Sequence, residues 1–276
     1  MSWTALRIQP SDDTTGRDAI VAALFAGGAP AVIEDGRAIV THVPDGTDVD
    51  ALRMQVMRAD PGASVSASEN PDVDWSVEWR RSVKAHDVGA LTVTPPWLAS
   101  EFDPATSIVI DPGMAFGTGD HATTRGILTV LPDLLRPNSI VADLGCGSGV
   151  LAIAAAKLGA SRVYAIEDDA DAIGNALANV HANGVSDRVH VFEGDAAVFL
   201  PLLAPVDLVL VNIISSVLKQ LVPAIETSLS ADGCAILSGL LLSERSEWLV
   251  YLQSRRWQIR KEQSEGDWWT VAIAKS

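Results

Sequence analysis

Residues 139–169 read SIVADLGCGSGVLAIAAAKLGASRVYAIEDD, and this stretch indicates the class of fold. A strand is followed by a glycine-rich turn, a helix and a second strand, and both strands are almost continuously apolar. Such strands are typical of a parallel sheet that is covered by helices on both faces. The alternation continues to residue 255, after which WQIRKEQSEG and DWWTVAIAK follow each other with no helix between them. We therefore expect an α/β fold with a doubly wound, mostly parallel seven-stranded sheet that ends in an antiparallel hairpin.

A different pattern precedes this sheet. Residues 1–70 alternate short segments in the order strand, helix, strand, strand, helix, strand, which is the order of the ferredoxin-like motif. Residues 71–106 carry Trp75 and Trp79, which share one face of a predicted linker helix that packs against a neighbouring domain. The sequence therefore predicts a small α+β ferredoxin-like domain over residues 1–70, a linker helix and strand over residues 71–106, and the sheet domain over residues 107–276.

Composition and charge limit the classes of function. The 276-residue chain has a formal net charge of −15 at pH 7, which argues against contact with a nucleic-acid backbone and permits a basic protein partner. It has no signal-peptide pattern and no apolar run of the roughly 18 residues that a membrane span needs. Its two cysteines, Cys146 and Cys234, lack the spacing of a metal site or of a disulfide framework. We expect a cytoplasmic protein with reduced thiols, no metal ion, no membrane segment and no direct nucleic-acid binding.

The glycine-rich turn at residues 145–149 reads GCGSG and opens a helix, where glycines allow a tight turn and a close approach to a ligand. It has neither the Gly-x-Gly-x-x-Gly spacing of dinucleotide loops nor the Gly-Lys pair of nucleoside triphosphate loops. Glu167 ends the next strand, where a carboxylate can accept hydrogen bonds from ribose hydroxyls. The alternative is a solvated acid in a run with Asp168 and Asp169. The combination favours a nucleoside without phosphates, and S-adenosylmethionine is one.

Two further polar residues end neighbouring strands. Asp195 ends the third strand, where it could contact an adenine amino group or cap the helix that follows, and both interpretations are kept. Asn212 ends the fourth strand in VDLVLVN. Ligands of open α/β sheets bind beyond the carboxyl ends of the strands, so we expect Gly145, Glu167, Asp195 and Asn212 to converge on one site.

Several segments resemble a known family. DLGCGSG, the strand-end acid and VNIIS resemble class I S-adenosylmethionine-dependent methyltransferases, and DPGMAFGTGDHATTR at residues 111–125 resembles the bacterial methyltransferases of ribosomal protein L11. The similarity extends to PPW before this segment and to SGLLLSE near the end, and so spans most of the chain. The resemblance implies a Rossmann-like methyltransferase that uses S-adenosyl-L-methionine to methylate lysine or amino groups of ribosomal protein L11. The N-terminal domain would dock this larger substrate, and we expect a monomer.

The resemblance also implies that Thr124, Gly145, Glu167 and Asn212 contact the cofactor, with Phe116 as a wall of the pocket. From their positions in the glycine loop and at the end of the third strand, we expect Gly147 and Asp195 to be cofactor contacts as well. The chain departs from the family pattern at three of its residues. Glu167 stands where the family usually has aspartate, and Asp120 and Ala122 stand in GTGDHATT where the family often has GTGTHPTT.

Asn212 is the predicted catalytic residue. Its amide oxygen and the backbone carbonyl near Ile213 would accept the N–H bonds of an amine and direct its lone pair towards the methyl group. His121 could remove a proton, or it could stabilise the loop in which it lies. Two alternative functions are kept: a methyltransferase for another protein lysine or a small amine, and a non-catalytic assembly factor that binds S-adenosylmethionine.

Overall fold

The computed structural model describes residues 3–11, 16–29, 32–44, 46–70, 83–111 and 119–275. The chain forms two compact units, Met1–Ser82 and Val83–Ser276. The predicted linker helix with Trp75 and Trp79 lies outside the described residues, as does Phe116.

The first unit is a four-stranded antiparallel sheet with two helices. Its elements are β1 (Trp3–Gln9), α1 (Gly16–Ala26), β2 (Ile33–Asp35), β3 (Ala38–Pro44), α2 (Val49–Ala59) and β4 (Ser64–Asn70). The strands lie in the order β2-β3-β1-β4. Leu6 and Ile8 of β1 pack against Ile20 and Leu24 of α1 in a core that α2 also covers. The alternation of apolar and polar residues along β1 leaves one face of the sheet for the helices.

The second unit begins with a small three-stranded sheet. It contains β5 (His86–Val88), β6 (Leu91–Thr94), a 3-10 turn (Pro96–Glu101) and β7 (Ser107–Val109), with β5 antiparallel and β7 parallel to β6. Residues 83–106 of the predicted linker therefore group with the larger unit, because β6 pairs with β7.

The large sheet occupies the rest of the second unit. Its elements are α3 (Ala122–Leu134), β8 (Ile140–Leu144), α4 (Val150–Lys157), β9 (Arg162–Glu167), α5 (Ala170–Ala182), β10 (Val189–Glu193), α6 (Ala196–Leu202), β11 (Val206–Asn212), α7 (Ser215–Ser228), β12 (Leu229–Leu241), a 3-10 turn (Leu242–Glu244), α8 (Arg245–Ser254), β13 (Trp257–Glu265) and β14 (Trp268–Lys275). The strand order is β10-β9-β8-β11-β12-β14-β13, with parallel pairs from β10 to β12 and antiparallel pairs on both sides of β14. The predicted mostly parallel sheet with a terminal antiparallel hairpin is confirmed.

Both faces of the sheet are buried, which explains its near-continuous apolar strands. In β11, Leu208 and Leu210 pack in the core that contains α3, α4 and α5, whereas Val209 and Val211 pack in the core that contains α6, α7 and α8. The chain leaves β8 towards β9 on one side and later returns to β11 on the other side. A crevice forms at such a switch point, beyond the carboxyl ends of these strands.

None of the helices in the described part of the chain combines the length and the apolar character that a bilayer crossing requires.

Candidate active site

A cavity of about 600 Å³ lies at this switch point, and its size is within the range of sites for small molecules. Its walls come from the carboxyl ends of the parallel strands, the first turn of α3, the glycine loop and the start of β14. The lining residues are His121, Thr123, Thr124, Gly145, Cys146, Gly147, Val150, Leu151, Ile166, Glu167, Asp168, Gly194, Asp195, Ala196, Asn212, Ile213, Ile214, Val217, Leu221, Gly239 and Trp268. The structure thus brings six of the seven predicted cofactor contacts to one cavity, and the seventh, Phe116, lies outside the described residues.

The glycine loop turns in a backbone conformation that favours glycine. Gly145, Gly147 and Gly149 have φ angles of +67°, +51° and +81°. The N–H groups of Gly145 and Cys146 donate to the carbonyl of Ile166 at 2.8 and 3.1 Å. These donors are already satisfied by strand β9, so the loop does not present them to an anion.

Glu167 closes the loop from the other side. Its Oε2 accepts the N–H of Gly147 at 2.7 Å, and its Oε1 accepts the N–H groups of Asp168 and Asp169 at 3.1 Å each. The side chain is buried, whereas Asp168 beside it is exposed. Three backbone donors therefore fix a carboxylate at the wall of the cavity, which does not fit a solvated strand-end acid. A carboxylate here repels anions and can still accept hydroxyl hydrogens with its remaining lone pairs.

Sequence reasoning missed Asp143, which lies beneath the loop. It is completely buried, and its Oδ2 accepts the N–H of Ala152 at 3.0 Å. Burial raises the pKa of Asp143 to about 7, and the charge of Glu167 acts in the same direction. Burial likewise raises the pKa of the Cys146 thiol, with added contributions from both carboxylates, so this cysteine is a protonated thiol and a poor nucleophile. An acid inside an otherwise apolar strand was the signal available in the sequence.

Asn212 is oriented by a hydrogen bond with α3. Its Nδ2 donates to the hydroxyl of Thr124 at 3.2 Å, and Thr124 is completely buried. Because the amide nitrogen and oxygen lie on opposite sides of Cγ, this bond directs Oδ1 away from Thr124. The amide of Asn212 is thus a wall group of the cavity with one defined orientation.

The carbonyl of Ile213 is positioned by a glycine that sequence reasoning did not single out as a site residue. Gly239 has a φ of +80°, and a Cβ atom at this position would lie 2.3 Å from the carbonyl oxygen of Ile213. Only glycine permits strand β12 to approach the backbone after β11 so closely at this point. The backbone after Asn212 and the SGLLLSE segment therefore fit together through Gly239.

His121 caps helix α3 and also lines the cavity. Its Nδ1 accepts the N–H of Thr123 at 3.4 Å and lies 2.7 Å from the hydroxyl of the same residue. Its ring contacts that of Trp268, with ring centroids 4.9 Å apart and the planes at 68°. The capping geometry favours the loop-stabilising interpretation of this histidine over proton removal.

Asp195 has a similar position at α6. Its Oδ1 accepts the N–H of Ala197 at 2.7 Å, and the residue also lines the cavity.

Asp120, one of the departures from the family pattern, lies close to a histidine and an arginine. Its Oδ1 lies 3.5 Å from Nε2 of His86 and 3.5 Å from Nη1 of Arg125. Arg125 also pairs with Glu265 at the end of β13, with its Nη2 2.6 Å from Oε1. These groups connect the residues before α3 to β5 and to the last hairpin.

Fold and site together define a methyltransferase with a Rossmann-like, mostly parallel sheet. The family model described as Ribosomal protein L11 methyltransferase (PrmA) matches residues 17–276. A protein of that name from Synechococcus sp. is 39% identical over 211 residues, which cover 75% of this chain and 70% of the relative. One from Carboxydothermus hydrogenoformans is 34% identical over 209 residues, which cover 75% of this chain and 68% of the relative. The crystal structure of ribosomal protein L11 methylase from Lactobacillus delbrueckii subsp. bulgaricus superposes with a TM-score of 0.61 at 30% identity, over 70% of this chain and 99% of that one. The chain belongs to the ribosomal protein L11 methyltransferase family.

Proposed function

We propose that this protein transfers methyl groups from S-adenosyl-L-methionine to lysine or amino groups of ribosomal protein L11. The observation that carries the proposal is the arrangement of one cavity, in which the glycine loop and Glu167 lie at one end and Asn212 with Ile213 lie further along the sheet edge. The names of the relatives supply the substrate. The acidic balance of the chain, with a net charge of −15, suits a basic protein substrate.

The residues present fit S-adenosylmethionine better than a phosphorylated nucleoside. The loop N–H groups bond to Ile166 and Glu167, and the buried carboxylate at this wall disfavours a phosphate. Glu167 and Gly147 would hold the ribose, and Asp195 the adenine. Thr124, Gly145 and Asn212 would hold the methionine end, with Phe116 as a further wall. When bound, this cofactor supplies an electrophilic methyl group on a sulfonium, which reacts with an uncharged amine.

The work of Asn212 is to position that amine. Its Oδ1 and the carbonyl of Ile213 accept N–H bonds, which leaves the nitrogen lone pair for the methyl group. An amide is too weak a base to take the proton, which leaves for solvent before transfer. At pH 7 deprotonation of a lysine with an ordinary pKa of about 10.4 costs about 4.6 kcal/mol. The apolar walls of the cavity, which include Ile214 and Val217, lower this cost because they disfavour the ammonium.

The two units have different proposed roles. Residues 1–70 form a ferredoxin-like domain that docks the substrate, and residues 107–276 carry the seven-stranded catalytic domain. Of the predicted linker at residues 71–106, residues 83–106 group with the catalytic unit. We propose a cytoplasmic monomer that makes no direct contact with nucleic acid. Removal of residues 1–70 is expected to abolish methylation of L11 and to leave binding of S-adenosylhomocysteine intact. Methylation that survives this deletion would contradict the docking role.

The function is tested with labelled S-adenosylmethionine and the ribosomal proteins of the source organism. One labelled band at L11 is the expected result. A labelled band at another protein would indicate a methyltransferase for a different lysine. Binding of the cofactor without any transfer would indicate a non-catalytic assembly factor.

A further inference from the structure

The cavity extends across the sheet well beyond the strands that bear the predicted nucleoside contacts. Glu167 ends β9 and Asn212 ends β11, whereas Trp268 begins β14, two strands further along the sheet. Neighbouring strands are about 4.8 Å apart, so β14 lies roughly 10 Å from β11. Trp268 therefore lines the end of the cavity that is opposite to Glu167, on the far side of the amine-positioning groups.

The surroundings of Trp268 are apolar and partly open. Leu241 is its cross-strand partner in β12 and is 40% exposed, and Ile214, which also lines the cavity, is 64% exposed. Singly exposed apolar residues are common on protein surfaces, but a molecule bound at this end of the cavity would cover these two. The sequence alone did not single out Trp268, because it cannot distinguish this residue from its neighbour Trp269, which is completely buried in the core.

The tip of the last hairpin, which bears Trp268, is fixed in place by charged groups. Arg125 of α3 donates from Nε and Nη2 to the carboxylate of Glu265 at 3.1 and 2.6 Å. Planar pairs of this kind hold both partners in one geometry. Trp268 is further held by the ring of His121. The indole is thus a preorganised wall.

We propose that Trp268 is a specificity-determining residue that receives the amine-bearing side chain of the substrate. Its ring contacts the methylene stem of a lysine before transfer and the methylammonium group of the methylated product after it. An indole face attracts such cations, most strongly where water is excluded. Glu265 is the cross-strand partner of Trp268 in β13, and with Asp120 it places two negative charges around the one positive charge of Arg125, so the net charge of this cluster does not oppose the approach of a cation. This inference rests on the proposed function, and it adds the acceptor side of the same site.

The test uses the full chain loaded with S-adenosylhomocysteine, and Nε-trimethyl-lysine as the probe, with binding measured by calorimetry. Trp268→Leu keeps an apolar side chain and removes the aromatic ring, and is expected to weaken binding of the probe about ten-fold. Trp268→Phe keeps an aromatic ring and is expected to stay within about three-fold of the wild type. Val250→Ala serves as the control, because Val250 is an exposed apolar residue of α8 that does not line the cavity.

Binding of S-adenosylhomocysteine is measured on each variant as the second readout, and it is expected to remain within about two-fold of the wild type because the adenosyl contacts lie elsewhere. Three results would overturn the proposal: no binding of the probe to the wild type, equal probe affinity in Trp268→Leu and the wild type, or an equal loss of both ligands. Because this assay needs no turnover of L11, failure of the proposed substrate and failure of the Trp268 site give different results.

Discussion

At the scale of single residues, two groups are proposed to position the acceptor amine. The amide of Asn212 is oriented by the hydroxyl of Thr124, and the carbonyl of Ile213 lies against Gly239. Neither group can act as a strong base. The contribution to the rate that we propose for them is therefore the alignment of a nitrogen with the methyl group.

Asn212→Ala is expected to lower the rate of methylation about 100-fold, because a misaligned acceptor costs roughly this factor. The dissociation constant of S-adenosylhomocysteine, measured by calorimetry, is expected to change by less than about three-fold. Thr124→Ser is the matched control, since it keeps the hydroxyl that accepts from Asn212. Equal losses of rate and binding in Asn212→Ala would show that the residue only holds the cofactor.

Gly239→Ala is expected to inactivate the protein through the backbone. The new Cβ would lie 2.3 Å from the carbonyl oxygen of Ile213, so this carbonyl has to move, at a cost of about 1–3 kcal/mol in stability. The measurements are the methylation rate and the denaturant midpoint. Gly184→Ala is the control, since its φ of +65° is also unusual but open space surrounds its Cβ position. If Gly184→Ala lost as much of the methylation rate as Gly239→Ala, the loss would come from backbone strain at positive φ and not from the contact with Ile213.

Asp143 is expected to make stability depend on pH. The carboxyl releases its proton near a pKa of 3.8 in the unfolded chain and near about 7 in the folded one. Between these values the unfolded state ionises first, so the free energy of unfolding falls as pH rises, by at most about 1.4 kcal/mol per pH unit from this group. Denaturant unfolding at several pH values should therefore give a smaller decline for Asp143→Asn than for the wild type. Asp187→Asn, at an exposed position, should keep the wild-type decline.

At the scale of elements, the first N–H groups of the loop between β8 and α4 bond to the end of strand β9, at Ile166, and to the carboxylate of Glu167. This arrangement differs from an anion cradle, in which loop N–H groups point at the ligand. The glycines are needed for the turn itself, since Gly145, Gly147 and Gly149 all have positive φ.

Competition for the site follows from this arrangement. S-adenosylhomocysteine is expected to displace labelled S-adenosylmethionine, whereas ATP and inorganic phosphate are expected to leave it bound even at millimolar concentration. Equilibrium dialysis measures both. Displacement by ATP at concentrations similar to those of S-adenosylhomocysteine would contradict the interpretation of the loop.

The order of elements made part of this site predictable. Parallel strands end at the same edge of a sheet, so Gly145, Glu167, Asp195 and Asn212 could be brought together from the sequence alone. The role of Gly239 depends on the register of β12 with β11, and that of Trp268 on the register of β12 with β14, neither of which a local pattern encodes. An acid inside an apolar strand marks Asp143 in the sequence, but its complete burial follows from the packing of helices on both faces of the sheet.

At the scale of the whole molecule, the chain combines two compact units with a strongly acidic balance. The second unit contains the cavity and the groups that would position both cofactor and amine. The first unit has its own buried core around Ile8, Leu24 and Ile39, which is what a separate docking domain requires. A protein substrate much larger than one side chain suits such a division.

The mass of ribosomal protein L11 after incubation with S-adenosylmethionine and this protein tests the central claim most directly. With the wild type, L11 is expected to gain the mass of one or more methyl groups, and fragmentation should place them on lysine or N-terminal amino groups. With Asn212→Ala the gain should be nearly absent over the same time. An L11 of unchanged mass, under conditions in which the wild type binds S-adenosylhomocysteine, would contradict the claim.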